Sequence, residues 1–172
     1  WEGRLSEEGG SVKAGGAVSS SYTGLEILAH SGIALRETAK GVGVTLSSQT
    51  GSVIARKAIT STSALKIYGD VVDVNVLTAK TDVTIERYDH AGNAGTALST
   101  VTLHGAVAGG GLVSIKAVGD IVAYGAVKGG RVQLSASDEN SLGRLGSITL
   151  HGAVTSTIGG VSLSASDALW MN

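Results

Sequence analysis

Two histidines and a tyrosine recur at one point of a repeated heptapeptide. The segments Val101-Thr102-Leu103-His104-Gly105-Ala106-Val107, Ile121-Val122-Ala123-Tyr124-Gly125-Ala126-Val127 and Ile148-Thr149-Leu150-His151-Gly152-Ala153-Val154 carry His104, Tyr124 and His151 at their fourth position. Imidazoles that recur in this way suggest a metal or haem site. Spacing argues against it. If each copy is one level of a stack, His104 and His151 stand two levels apart, about 9.6 Å at the strand spacing of a sheet. Ligands to one metal each lie about 2 Å from it. Their place after an inward Leu directs the rings outward, as a surface ladder.

Carboxylates recur as well. Asp120, Asp138 and Asp167 close successive copies, and Asp70 follows Tyr68-Gly69 in the same way. In register they could bind calcium or act as acid and base on a polysaccharide. At a bend, the simpler role is to accept backbone N–H groups in Asx turns. The calcium nonapeptide G-G-x-G-x-D is absent. Asp73, Asp82 and Glu86, with Lys80 and Arg87, form the densest charged neighbourhood and the one place to expect a glycosidase-like or lyase-like cleft. There Asp73 is expected to face outward only if Val72 or Val74 is not core. No Ser-His-Asp order, nucleophile elbow, phosphate loop or HExxH helix occurs. Trp1, Trp170 and Tyr22 could stack on sugars, but two of them sit at the chain ends, where contact with neighbouring segments is the simpler role. The residues therefore favour a chain that is not an enzyme and has no metal or cofactor.

The elements that carry these residues follow from the repeat. After each heptapeptide comes a Gly-rich turn and a second alternating run: Val113-Ser114-Ile115-Lys116-Ala117, Val132-Gln133-Leu134-Ser135-Ala136 and Val161-Ser162-Leu163-Ser164-Ala165. Upstream the alternation is blurred but persists, at Leu25-Glu26-Ile27, Ile33-Ala34-Leu35, Val42-Gly43-Val44-Thr45-Leu46, Val53-Ile54-Ala55, Leu65-Lys66-Ile67, Val72-Asp73-Val74-Asn75-Val76 and Val83-Thr84-Ile85. Period two is the mark of strands with one buried face. Leu35-Arg36-Glu37-Thr38-Ala39-Lys40 has a helix-like pattern, but Gly41 and Gly43 close behind it favour strand and turn.

Composition agrees. The 172 residues include 26 Gly and no Pro, Phe or Cys, and aromatics make up 3% against 42% apolar residues. A core of Val, Ile, Leu and Ala suits narrow layers of strand better than a thick globule anchored by aromatic rings. Lack of Cys excludes a disulfide scaffold or thiolate metal site and is compatible with export. Net charge is −1 and the 13 basic residues are scattered, so no nucleic-acid partner is expected. No apolar run is long enough to span a membrane.

Hairpin sheets commonly need Asn-Gly or Asp-Gly reversals, and neither dipeptide is present. Single Gly, Gly-Gly and Ser/Thr pairs bend the chain less sharply. The expected fold is all-β: a right-handed parallel β-helix of about eight coils with repeats of roughly 20 residues, alternating side chains filling a narrow interior. It is one repeat segment over 1–172, a fragment of a longer rod, less regular over 1–98 and regular over 99–170. An up-and-down barrel is the structural alternative.

Two stretches interrupt the period, 89–96 and 139–146, each adding roughly a third of a coil. A packed solenoid has no slack for them, so they are expected to loop out. Asp89, His90, Asn93, Glu139, Asn140 and Arg144 are then the candidate contact residues. Neutral decoration is the alternative.

Repeats of the form V-x-L-x-G-x-V…G-G-x-V-x-L-x-A, poor in Cys and Pro, resemble the shaft of filamentous haemagglutinin-type exoproteins of bacterial two-partner secretion. The resemblance covers about residues 9–170 and is clearest over 101–167. It implies a right-handed β-helix, secretion to the bacterial cell surface through an outer-membrane transporter barrel, and a role in adhesion or in carrying a distal effector. Host-cell glycans or receptors are the partners it suggests, with the rod itself monomeric. Neither the secretion-cap motif nor a toxin domain nor an Arg-Gly-Asp tripeptide is found. Two other functions stay open: a carbohydrate- or receptor-binding module acting through the inserted loops, and a polysaccharide lyase or hydrolase.

Overall fold

Strict alternation of aliphatic and polar residues folds into three parallel sheets. The computed structural model describes residues 4–7, 9–87, 99–137 and 145–172. The described residues form strands and bends, with no helix. Sheet 1 stacks eight strands, from Arg4–Glu7 and Leu25–Ala29 through Leu112–Ala117 and Arg131–Ala136 to Val161–Ala165. Sheet 2 also has eight, from Ser11–Ala14 to Leu169–Met171, and sheet 3 has seven, from Val18–Ser19 to Val154–Ser156. The chain visits sheets 1, 2 and 3 in turn, then returns to sheet 1 one level higher. This is a parallel β-helix of about eight coils. At about 4.8 Å per level it forms a rod on the order of 40 Å long.

Register fixes the coil length. Leu25 pairs with Val44, Val44 with Leu65 and Leu65 with Val83, steps of 18 to 21 residues. Val83 pairs with Val113 and Val132 with Val161, so two coils take 30 and 29 residues. Each longer coil carries about ten extra residues, nearer half a coil than a third. In both, the extra residues fall between a sheet 1 strand and the sheet 2 strand that follows it: one set after Val83–Glu86, the other after Arg131–Ala136.

Inward positions stack into aliphatic columns. Ile27, Leu46, Ile67, Ile85, Ile115 and Leu134 form one column of sheet 1, each 1% exposed or less. In sheet 2, Leu35, Ala55, Val74, Leu103, Ala123 and Leu150 vary in size from level to level, so a large side chain fills the space left by a small neighbour. Every buried apolar residue described is Val, Ile, Leu or Ala. Residues 35–40 form the end of one strand, a bend and the start of the next, as their pattern predicts.

Candidate functional site

A run of polar and aromatic side chains lies just after the sheet 2 strands. Val74, Leu103, Ala123, Leu150 and Met171 are in register, so the residues that follow them, Asn75, His104, Tyr124, His151 and Asn172, also stack. Backbone bonds carry the ladder through these positions: His104 N–H to Val74 O at 2.9 Å, Tyr124 N–H to Leu103 O and His151 N–H to Ala123 O, both at 2.8 Å. The rings are parallel. His104 and Tyr124 centroids are 5.7 Å apart at 5° between planes, and Tyr124 and His151 are 5.0 Å apart at 3°.

Polar contacts extend the column at both ends. His104 Nε2 lies 2.8 Å from Asp73 Oδ1, whose Oδ2 accepts from Arg56 Nη1 at 3.2 Å. Asn75 Nδ2 donates to the Arg56 carbonyl at 3.1 Å, and Asn172 Nδ2 donates to His151 Nδ1 at 3.4 Å. Side chains from six successive coils thus form one chain of contacts from Arg56 to Asn172. The outward ladder expected from the repeat is present, and Arg56, Asp73 and Asn172 are members that the repeat did not indicate. Two ring steps separate the imidazoles, too far to share a metal at about 2 Å per ligand. Ring faces cover one another, so solvent meets edges: the Tyr124 phenol, half exposed, and the imidazole nitrogens.

Glycine is what lets these rings turn the corner closely. Gly105, Gly125 and Gly152 each follow a ring, and a Cβ on Gly125 would strike the Gly105 backbone. One on Gly152 would lie 2.5 Å from the Gly125 carbonyl.

The recurrent carboxylates divide. Asp70 and Asp167 occupy one register position, level with Gly146, while Asp120 is one residue further on, level with Ser147. Asp120 and Asp167 accept hydrogen bonds from an adjoining coil rather than within their own bend. Asp120 Oδ1 takes Ser147 N–H at 2.8 Å, and Asp167 Oδ2 takes Ser147 Oγ–H at 3.0 Å. Asp70 Oδ1 faces Arg87 Nε at 3.4 Å. Asp138 lies outside the described residues.

The dense charged neighbourhood separates too. Asp73 is on sheet 2 with Arg56 and His104, whereas Asp82 precedes a sheet 1 strand and its Oδ1 accepts Leu112 N–H at 2.7 Å. Glu86, on the outer face of sheet 1, lies beside Tyr68. Burial first, and the Glu86 charge second, push the Tyr68 phenol above its ordinary range. One expectation is corrected here. Val72 and Val74 are both core, 1% and 0% exposed, and Asp73 faces outward between them as ordinary strand alternation requires. Among the described residues, no three His, Cys, Asp or Glu side chains group as metal ligands.

The six candidate contact residues, Asp89, His90, Asn93, Glu139, Asn140 and Arg144, lie outside the described residues. Their flanks do not. Ser99 Oγ accepts Val118 N–H at 2.7 Å, closing the return of the first insert. The second is bracketed by an antiparallel bridge from Ser137 to Leu145. Gly146 is already back in the stack: its N–H donates to Ser166 Oγ at 2.8 Å, and its carbonyl accepts Asp167 N–H at 3.1 Å. Of the outlying aromatics, Tyr22 is 95% exposed on a bend and Trp170 is 62% exposed on the last sheet 2 strand.

Comparison with family models, with curated proteins and with solved structures finds no match to this chain.

Proposed function

We propose that this chain is the structural shaft of a secreted, surface-associated bacterial filament, exported through an outer-membrane transporter and holding adhesive or effector regions away from the cell. The observation that carries the reading is the continuous coil-on-coil stacking. Three in-register sheets of seven or eight strands stack around one aliphatic interior that runs from Val12 to Leu150. Each coil contacts chiefly its neighbours, so tension along the axis is shared by three rows of backbone hydrogen bonds. The same geometry suits export, because folding can add one coil at a time as the chain emerges. With no Cys or Pro, neither disulfide exchange nor prolyl isomerisation delays it.

A coil deletion tests the shaft. Leu112 pairs with Arg131, so excising 112–130 removes one whole level and rejoins the chain in register. In the secreting cell, the shortened protein should reach the surface and keep its adhesive or effector activity. Loss of that activity with normal surface display would sink the shaft reading. Val132→Asp, which puts a charge at a fully buried position, should stall secretion, and normal release would count against coil-by-coil folding during export.

A second reading is a glycan- or receptor-binding module. The place of both inserts between a sheet 1 strand and the sheet 2 strand that follows it, two coils apart, favours it, since the two could meet one partner together. Deleting 89–96 or 139–144 should then abolish cell or glycan binding while the β-sheet circular dichroism is unchanged; unaffected binding rejects it.

A further inference from the structure

Sheet 1 strands end on an inward position that is usually small, as at Ala29, Ala117 and Ala136. Three successive coils differ: the position is Ser48, then Gly69, then Arg87. Ser48 is fully buried, and its Oγ has no hydrogen-bond partner among the described residues. A buried hydroxyl left in that state costs free energy and calls for a partner. Arg87, two coils above, reaches back down. Its Nε, itself buried, lies 3.4 Å from Asp70 Oδ1, and Asp70 directly follows Gly69. Arg87 Nε therefore lies beside the residue that follows Gly69, one coil above the level of Ser48. Gly69 places no side chain between them. On its inner side is the Gly51 carbonyl, 3.2 Å from where a Cβ would sit.

We propose that one ordered water occupies this position. It accepts an Arg87 N–H and donates to the Ser48 hydroxyl and to the Gly51 carbonyl. Three polar partners are what a buried water ordinarily has. The site has a use that its position explains, because Arg87 is the last described residue before the first insert. The water ties Arg87 to the coil two levels below. This assignment holds whether or not the chain serves as a shaft.

Water–protein cross-relaxation on the isotope-labelled full chain tests it. The Arg87 Nε–H and the Ser48 and Gly69 amides should show cross-peaks to a long-lived water. Ser48→Ala keeps the fold, because alanine fills the same column in neighbouring coils; it should remove those cross-peaks and speed Arg87 Nε–H exchange about tenfold. Gly69→Ala, whose methyl group crowds the same space, should do likewise. Absence of the cross-peaks in the parent protein, or unchanged Nε–H exchange in both variants, overturns the proposal. A bromide-dependent shift of the same signals also overturns it, by assigning the position to an anion.

Discussion

Asp73 and His104 meet across one coil step at 2.8 Å, and the same carboxylate holds Arg56 from the coil below at 3.2 Å. One short side chain thereby joins three levels of the stack. It also couples a charged segment to the stacked rings above it. These partners are substantially solvent-accessible, with side-chain exposures of 26% for Asp73, 47% for His104 and 59% for Arg56. Each pairing is therefore worth far less than a buried ion pair would be.

Replacing Asp73 by Ala should lower the unfolding free energy by about 1 kcal/mol or less, in line with exposed pairs. A double-mutant cycle in urea with His104→Ala measures the coupling directly. A coupling energy of zero would mean that the contact contributes nothing to holding the coils together.

Inward and outward neighbours on one strand should behave oppositely. Leu134 is 1% exposed, and its truncation to Ala should cost about 2–5 kcal/mol. Gln133→Ala, on the outer face of the same strand, should stay within about 0.5 kcal/mol. Denaturant midpoints with unchanged m-values would read both.

Glycines at two corners should differ just as sharply. Gly125→Ala drives a methyl group into the Gly105 backbone and should cost more than about 1 kcal/mol, with a shift of the Tyr124 ring resonances. Gly15→Ala meets nothing within 4 Å and should be neutral or slightly stabilising, by up to about 1 kcal/mol, through the unfolded chain. Equal effects would contradict the close stacking of the Gly105, Gly125 and Gly152 corner.

Alkaline pH should weaken the fold through Tyr68. Its phenol is raised by burial and by Glu86, so the folded state holds the proton more tightly than the unfolded chain. That contribution is complete below the ordinary tyrosine range near 10 and is lost as pH rises through the higher folded value. Tyr68→Phe should flatten the decline in stability on that side, and ultraviolet titration should show one phenol ionising later than the others. A Tyr68→Phe profile that falls as steeply as the parent's would remove Tyr68 as the cause.

Much of the architecture is legible in the sequence, for a local reason. Alternation of Val, Ile and Leu with polar residues decides which face of each strand is buried, whatever lies above or below. Copies of one heptapeptide stack like on like, so His104, Tyr124 and His151 fall in one column by their place in the repeat alone. The same repeat could not reveal Arg56, Asp73 or Asn172 as partners of that column. Asp73 and Arg56 sit in the eroded half, where coil lengths vary and neighbouring coils share little pattern.

Relations between coils were decided by the tertiary structure alone. Asp120, Asp167 and Asp70 look equivalent along the chain, yet a one-residue difference in register sets Asp120 apart. Glu86 and Asp73 are close in sequence but lie on different sheets, because a corner turns the chain between them. Arg87 reads as surface charge until stacking places it in the column of Ser48 and Gly69. The sequence by itself determined the kind of fold, the filling of its core and the ring column. Only the folded stack decided which side chains reach from one coil to the next, because that depends on how many residues each turn spends before it returns.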